Sequence, residues 1–137
     1  NCNITIYNEA KNLIDLLDKK KIIKGIITNG NVEAQKNKIK NLKIENNFNF
    51  IIFARKWGLK YEKPHSKSFK EALNLSKCSA SEVIFIGDNM NSDILGAKKS
   101  GIDYFHLVGD IKSKYNVQDR SINNTINSLT DILQVLQ

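Results

Sequence analysis

The feature that most restricts this chain is a recurring unit: a short apolar, β-branched run, a polar turn, then an amphipathic stretch. Residues 22–27 stop at Thr28-Asn29-Gly30, and residues 83–86 stop at Gly87-Asp88. Residues 50–54 run into a connection that carries the sole proline, Pro64, and residues 104–108 form a fourth such run. Between them lie helical spacings. Residues 8–20 place Ala10, Leu13, Ile14 and Leu17 on one face behind an Asn8 cap, and residues 32–42 align Val32, Gln35, Ile39 and Leu42. Residues 66–75 turn Phe69, Ala72 and Leu73 inward, and residues 91–100 end at Gly101, a natural C-terminal cap. The stretch 109–127 is polar, and Ser128-Leu129-Thr130-Asp131 resembles a capping box that opens a last helix to residue 136. Continuous apolar strands alternating with helices predict an α/β fold, a Rossmann-like three-layer α/β/α arrangement around a parallel sheet, with residues 1–137 as one domain. Sheets of this kind bind ligands beyond the carboxyl ends of their strands. That rule nominates the turns at Thr28 and Asp88 as one site.

The net charge of +7 invites a nucleic-acid reading, but the composition opposes it. Of 21 cations, 19 are lysine and only Arg55 and Arg120 are arginine, the residue suited to bidentate phosphate and base contacts. Asn, Lys and Ile together fill 56 positions, the mark of an AT-rich coding sequence, so no nucleic-acid partner is expected. No apolar run approaches the roughly 18 residues of a membrane span, so no membrane partner is expected either. Cys2 and Cys78 cannot build a disulfide framework, and a cytoplasmic location is expected. His65 and His106 lack metal-ligand spacing, and Trp57 and Tyr61, which flank the connection before Lys63, would either line the site entrance or pack, with packing the expectation.

Three short motifs carry chemistry. In Ile-Ile-Thr-Asn-Gly at 26–30, a hydroxyl and several free backbone N–H groups converge where a phosphate would fit, although Thr28 would equally serve as a helix cap. In Glu62-Lys63-Pro64 the proline holds Lys63 out of the helical region and so on a defined backbone, although lysine is abundant throughout this chain. In Gly87-Asp88-Asn89-Met90-Asn91-Ser92-Asp93, one carboxylate sits at a strand end and one in a first helical turn. Two hard oxygen ligands suit Mg²⁺, and the alternative is a turn residue plus a favourable dipole contact.

Taken together, and in this order, the motifs resemble those of the haloacid dehalogenase-like hydrolases. Asn-Ile-Thr-Ile-Tyr before the first helix, Gly30-x4-Gln35, Asp93-Ile94-x-Gly96-Ala97 followed by Gly101, and the closing Ser-Leu-Thr-Asp-Ile-Leu are similar to the branch with a helical cap. The resemblance implies a Mg²⁺-dependent phosphomonoesterase acting on a small phosphorylated metabolite, a sugar phosphate or a nucleotide, through an aspartyl-phosphate. It implies that Thr28, with the backbone at Asn29, binds the phosphoryl group. Lys63 then neutralises phosphate charge and steadies the nucleophile, Asp88 ligates Mg²⁺, and Asp93 ligates it or orders its water shell.

One departure stands out. The family's nucleophile lies in an Asp-x-Asp motif, and no Asp-x-Asp occurs in the 137 residues. Asp15 and Asp18, ahead of Thr28, fall within the first helical pattern as solvated positions. The chain therefore resembles the part of the core that follows the cap, with the first strand, the nucleophile and the cap expected upstream of Asn1. The family's nucleophile strand is central in the sheet, so its absence exposes two strand edges in mid-core. The expectation is completion by a separate N-terminal fragment, by a swapped copy, or by further sequence, and poor stability of these residues as an isolated monomer. A catalytically incomplete fragment, or a binding module without turnover, is the alternative function.

Overall fold

The computed structural model describes residues 8–108, 124–129 and 131–132. Helix α1 (Asn8–Lys19) leads into β1 (Gly25–Thr28), followed by α2 (Val32–Leu42) and β2 (Phe50–Phe53). Two short 3₁₀ turns, Ala54–Trp57 and Leu59–Tyr61, precede α3 (Lys67–Ser76). Strand β3 (Ile84–Gly87), a π-helical turn (Met90–Ile94), α4 (Leu95–Lys99), β4 (Asp103–Leu107) and β5 (Thr125–Ile126) complete the described order.

All strand pairings among the described residues are parallel, as expected, but they form two sheets where the sequence predicts one. β1 pairs with β2 in register Thr28↔Phe53, and β3, β4 and β5 pair in that order with Gly87↔His106 and Leu107↔Ile126. β1 and β3 each have a single strand neighbour among the described residues. The break falls between β1 and β3, the strands that lead into Thr28 and Asp88.

Side chains alternate across the strands with a period of two, and this builds the layers. Ile86, Phe105 and Leu107 face Leu13 and Leu17 of α1, together with Ile126, Leu129 and Ile132. Phe85 and Tyr104 face the other way, against Phe69 and Leu73 of α3, Ala97 of α4 and Ile102. Ile27 of β1 joins this second cluster, so α3 packs across both sheets. Phe69 is fully buried at that junction, edge-on to Phe85 with ring centroids 5.0 Å apart.

Several elements differ from the expectation. β1 begins at Gly25 because Lys24 is buried: its N–H donates to the Asn49 side chain at 2.9 Å and its ammonium pairs with Asp18. Asp18 is thus an ion-pair partner and not merely a solvated position, while Ile22 and Ile23 stay 39% and 49% exposed. Residues 91–100 are not one α-helix, since the first turn is π-helical. Gly101 does follow the last turn at φ +70°, in the left-handed region a glycine tolerates. β5 was missed, because two residues flanked by asparagines carry no periodicity. Of the expected last helix and its capping box, residues 128–129 form a turn, residues 131–132 are helical, and the remainder lies outside the described residues.

Candidate active site

The site grows from the carboxyl ends of β1 and β3. β1 ends on Thr28, and the chain turns through Gly30 at φ +99°. Asn31, not Thr28, caps α2, accepting from the Ala34 N–H at 2.9 Å. The Thr28 hydroxyl is thereby released to donate to the Gln35 side-chain oxygen at 3.0 Å, within the first turns of α2.

The Asn29 side chain faces the lysine segment 34 residues away. Its Oδ1 accepts from the Lys63 N–H at 2.9 Å and its Nδ2 donates to the Lys63 carbonyl at 3.1 Å. Glu62 reciprocates: Oε2 accepts from the Gly30 N–H at 3.2 Å, and Oε1 pairs with Arg55 just beyond β2. Three hydrogen bonds therefore lace the turn at 28–30 to residues 62–63.

That lacing aims the Lys63 ammonium. It donates to the Ile27 carbonyl at 2.9 Å and to Asp93 Oδ1 at 2.6 Å, and lies 5.5 Å from the centre of the Phe85 ring. Both side chains of the Lys63–Asp93 pair are only 10% exposed. The other Asp93 oxygen, Oδ2, accepts from the backbone N–H groups of Asp88 and Asn89, each at 3.2 Å. One buried carboxylate thus satisfies an ammonium and two amides, the compensation that a buried charge requires. The approach depends on Gly87: a Cβ there would stand 2.3 Å from Asp93 Cβ. Asn89 caps the π turn, accepting from Asn91 and Ser92 at 2.9 and 3.0 Å, so its amide orientation and the Asp93 contact support each other.

Asp88 is different. It is exposed, and its carboxylate makes no hydrogen bond or ion pair among the described residues. Its backbone carbonyl lies 3.2 Å from His106 Nε2, a contact that ties the loop to β4. Among the described residues no group of three or more His, Cys, Asp or Glu side chains converges as a metal cage. The open Asp88 carboxylate fits Mg²⁺, which retains most of its waters and takes one or two carboxylates. Asp93 already carries three donors, which suits it to fixing the loop and the lysine.

Of the five residues singled out from the sequence, Thr28 and Asn29 lie at the end of β1, Asp88 and Asp93 follow the end of β3, and Lys63 comes from the segment between the second 3₁₀ turn and α3. Asn29 and Asp93 touch Lys63 directly, and Asp93 reaches the Asp88 backbone. Sequence reasoning missed the supporting roles of Glu62, Arg55 and His106. A glutamate next to the lysine was the only visible signal for the first two, and nothing marked His106.

Comparison with known proteins gives the family and the fold. The haloacid dehalogenase-like hydrolase family model matches residues 1–107, and the chain belongs to that family. It is 44% identical over 78 residues to the glyceraldehyde 3-phosphate phosphatase of Pyrococcus abyssi, covering 57% of this chain and 32% of that protein. The enzyme of the same name from Methanocaldococcus jannaschii is 31% identical over 115 residues, covering 82% of this chain and 48% of its own length. The chain thus spans between a third and a half of these relatives. A HAD phosphatase from Thermococcus onnurineus superposes with a TM-score of 0.81 at 22% identity, over 96% of this chain and 58% of that one. A magnesium-bound HAD hydrolase, YfnB from Bacillus subtilis, gives 0.73 at 22% identity, over 94% of this chain and 54% of its own. The structural likenesses bear out the Rossmann-like α/β fold.

Proposed function

We propose that these residues form the phosphate-holding part of a phosphomonoesterase that acts on a small sugar phosphate in the cytoplasm. The observation that carries this reading is the Lys63 ammonium, suspended between the Ile27 carbonyl and Asp93 at the parting of the two sheets. Phosphoryl transfer spreads negative charge over equatorial oxygens, so pre-aimed cations and N–H donors supply most of the catalysis. In this reading Thr28 Oγ1 and the Asn29 N–H bind phosphoryl oxygens, and Lys63 compensates their charge. Asp93 holds the lysine and the loop of Asp88 in place. Asp88 is the residue to hold Mg²⁺, which when bound supplies Lewis-acid compensation of the phosphate charge. The relatives' name, glyceraldehyde 3-phosphate phosphatase, supports a short sugar phosphate as the substrate class.

The nucleophile belongs on an extended segment lying between β1 and β3, whose facing edges lack strand partners among the described residues. An N-terminal fragment, a swapped copy or contiguous sequence would each satisfy those edges. The test is Mg²⁺-dependent phosphate release from an aryl phosphate, with and without an added segment carrying an Asp-x-Asp strand. Turnover is expected only with the segment, and Lys63→Ala and Asp88→Ala should each lower it by about 100-fold or more. Activity that survives both substitutions removes the site assignment.

The absence of any Asp-x-Asp in the 137 residues favours one second reading, a phosphate-binding remnant without turnover. It predicts stabilisation by phosphate and no catalysis even when the segment is supplied.

A further inference from the structure

We propose that the turns between β2 and Lys63, with the first residue of α3, form a second anion subsite, one that takes the distal carboxylate or phosphate of a doubly anionic phosphate ester. The inference rests on the phosphate-site reading above in one respect only: the ester's first phosphate is placed at Lys63. Lys56 and Lys60 stand on the two 3₁₀ turns that follow β2, and Lys67 opens α3. The Lys67 ammonium lies between two rings, 5.2 Å from the centre of Trp57 and 4.6 Å from that of Tyr61. Lys56 stands 4.6 Å from the Trp57 centre and Lys60 5.0 Å from the Tyr61 centre.

Three like charges therefore share two aromatic rings, and none has a carboxylate within ion-pair distance among the described residues. The one acid in this segment, Glu62, is committed to Arg55 and to the Gly30 amide. A ring face holds an ammonium and its stem in place while leaving N–H groups directed away from the ring. The ordering cost of gripping an anion is thus largely met in advance, and an incoming charge relieves the mutual repulsion of the lysines. Tyr61 is two residues from Lys63, and Glu62 ties this segment to the turn at Gly30, which puts the patch on the β2 side of the site. A phosphate ester gripped at Lys63 can extend its other end toward it. The residues read from the sequence as packing, Trp57 and Tyr61, become the platform of a charge-reading surface. A second copy of this chain suits it poorly as occupant, since each carries a net charge of +7.

Trp57 is the sole tryptophan of the chain, so its emission reports on the patch without any need for turnover. The chain, completed by the added segment of the preceding test and kept free of Mg²⁺, is titrated with 3-phosphoglycerate and with glycerol 3-phosphate, which differ by a carboxylate in place of a hydroxymethyl group. The carboxylate compound should bind about tenfold more tightly, and a Lys56→Met/Lys67→Met double variant should erase that difference, the scale of two partly exposed charge contacts. Equal affinities in the unsubstituted chain, no response to either compound, or a difference that persists in the double variant overturns the subsite. Lys63→Met separates the two ideas. If it leaves glycerol 3-phosphate binding unchanged, the phosphate site fails, while the carboxylate-dependent difference is judged independently.

Discussion

The two sheets hold their share of the site in opposite ways. On the β1–β2 side the contacts are distant in sequence: Asn29 grips the Lys63 backbone across 34 residues, and Glu62 reaches back across 32 to Gly30. On the β3–β4–β5 side the contacts are local, with Asp93 collecting amides four and five residues earlier and Asn89 capping its own turn. The local side is a preformed loop that a single strand–turn unit can build. The distant side exists only once β1, β2 and the lysine segment have come together. Lys63 and Asp93 are where the two meet, so that pair should report on the assembly of both.

The largest effect is expected there. Lys63→Met strips the cation from a buried carboxylate and should cost about 3–5 kcal/mol in denaturant unfolding, as unpaired buried charges do. A loss below 1 kcal/mol would show that the two sides are not joined through this pair. Asn29→Ala attacks the long-range lacing alone. By leaving the Lys63 N–H and carbonyl without partners, it should cost about 1–3 kcal/mol and weaken phosphate binding without altering Mg²⁺ affinity. Asp88→Asn attacks the local side at an exposed position. Stability should stay within about 0.5 kcal/mol while Mg²⁺ binding, followed by calorimetry, is lost.

The smallest effect concerns Glu82, on the turn that leads into β3. Hydrogen bonds from the Ser79 backbone and hydroxyl lower its pKa below the ordinary glutamate value. A depressed folded-state pKa adds stability above the unfolded value and loses it as pH falls through the folded one. The Glu82→Gln variant should therefore lack a small part of the acid-side loss of stability, and identical melting profiles from neutral to acid pH would show that the local cap contributes nothing.

The same contrast explains what was legible in the sequence. Asp88 and Asp93 could be placed on one loop at a strand end because their spacing and the preceding apolar strand decide the matter within seven residues. Thr28 was found by the same strand-end rule. The partner of Asn29 was hidden, because an Asn-Gly after a strand reads as an ordinary turn until the fold brings Lys63 beside it. The π turn was hidden for another reason: Ile94 and Ala97 are buried with spacing that an α-helix also satisfies. The start of β1 was displaced by Lys24, whose burial depends on Asp18 and Asn49, and no local pattern announces them.

The Lys63–Asp93 contact also bears on the last step of the proposed reaction. An ammonium already half-neutralised attracts a dianion less strongly than a bare one, and any oxyanion that arrives must share it with a carboxylate that never leaves. In the proposed reaction Asp93 would then set a ceiling on how long inorganic phosphate lingers, trading tightness of grip for ease of departure.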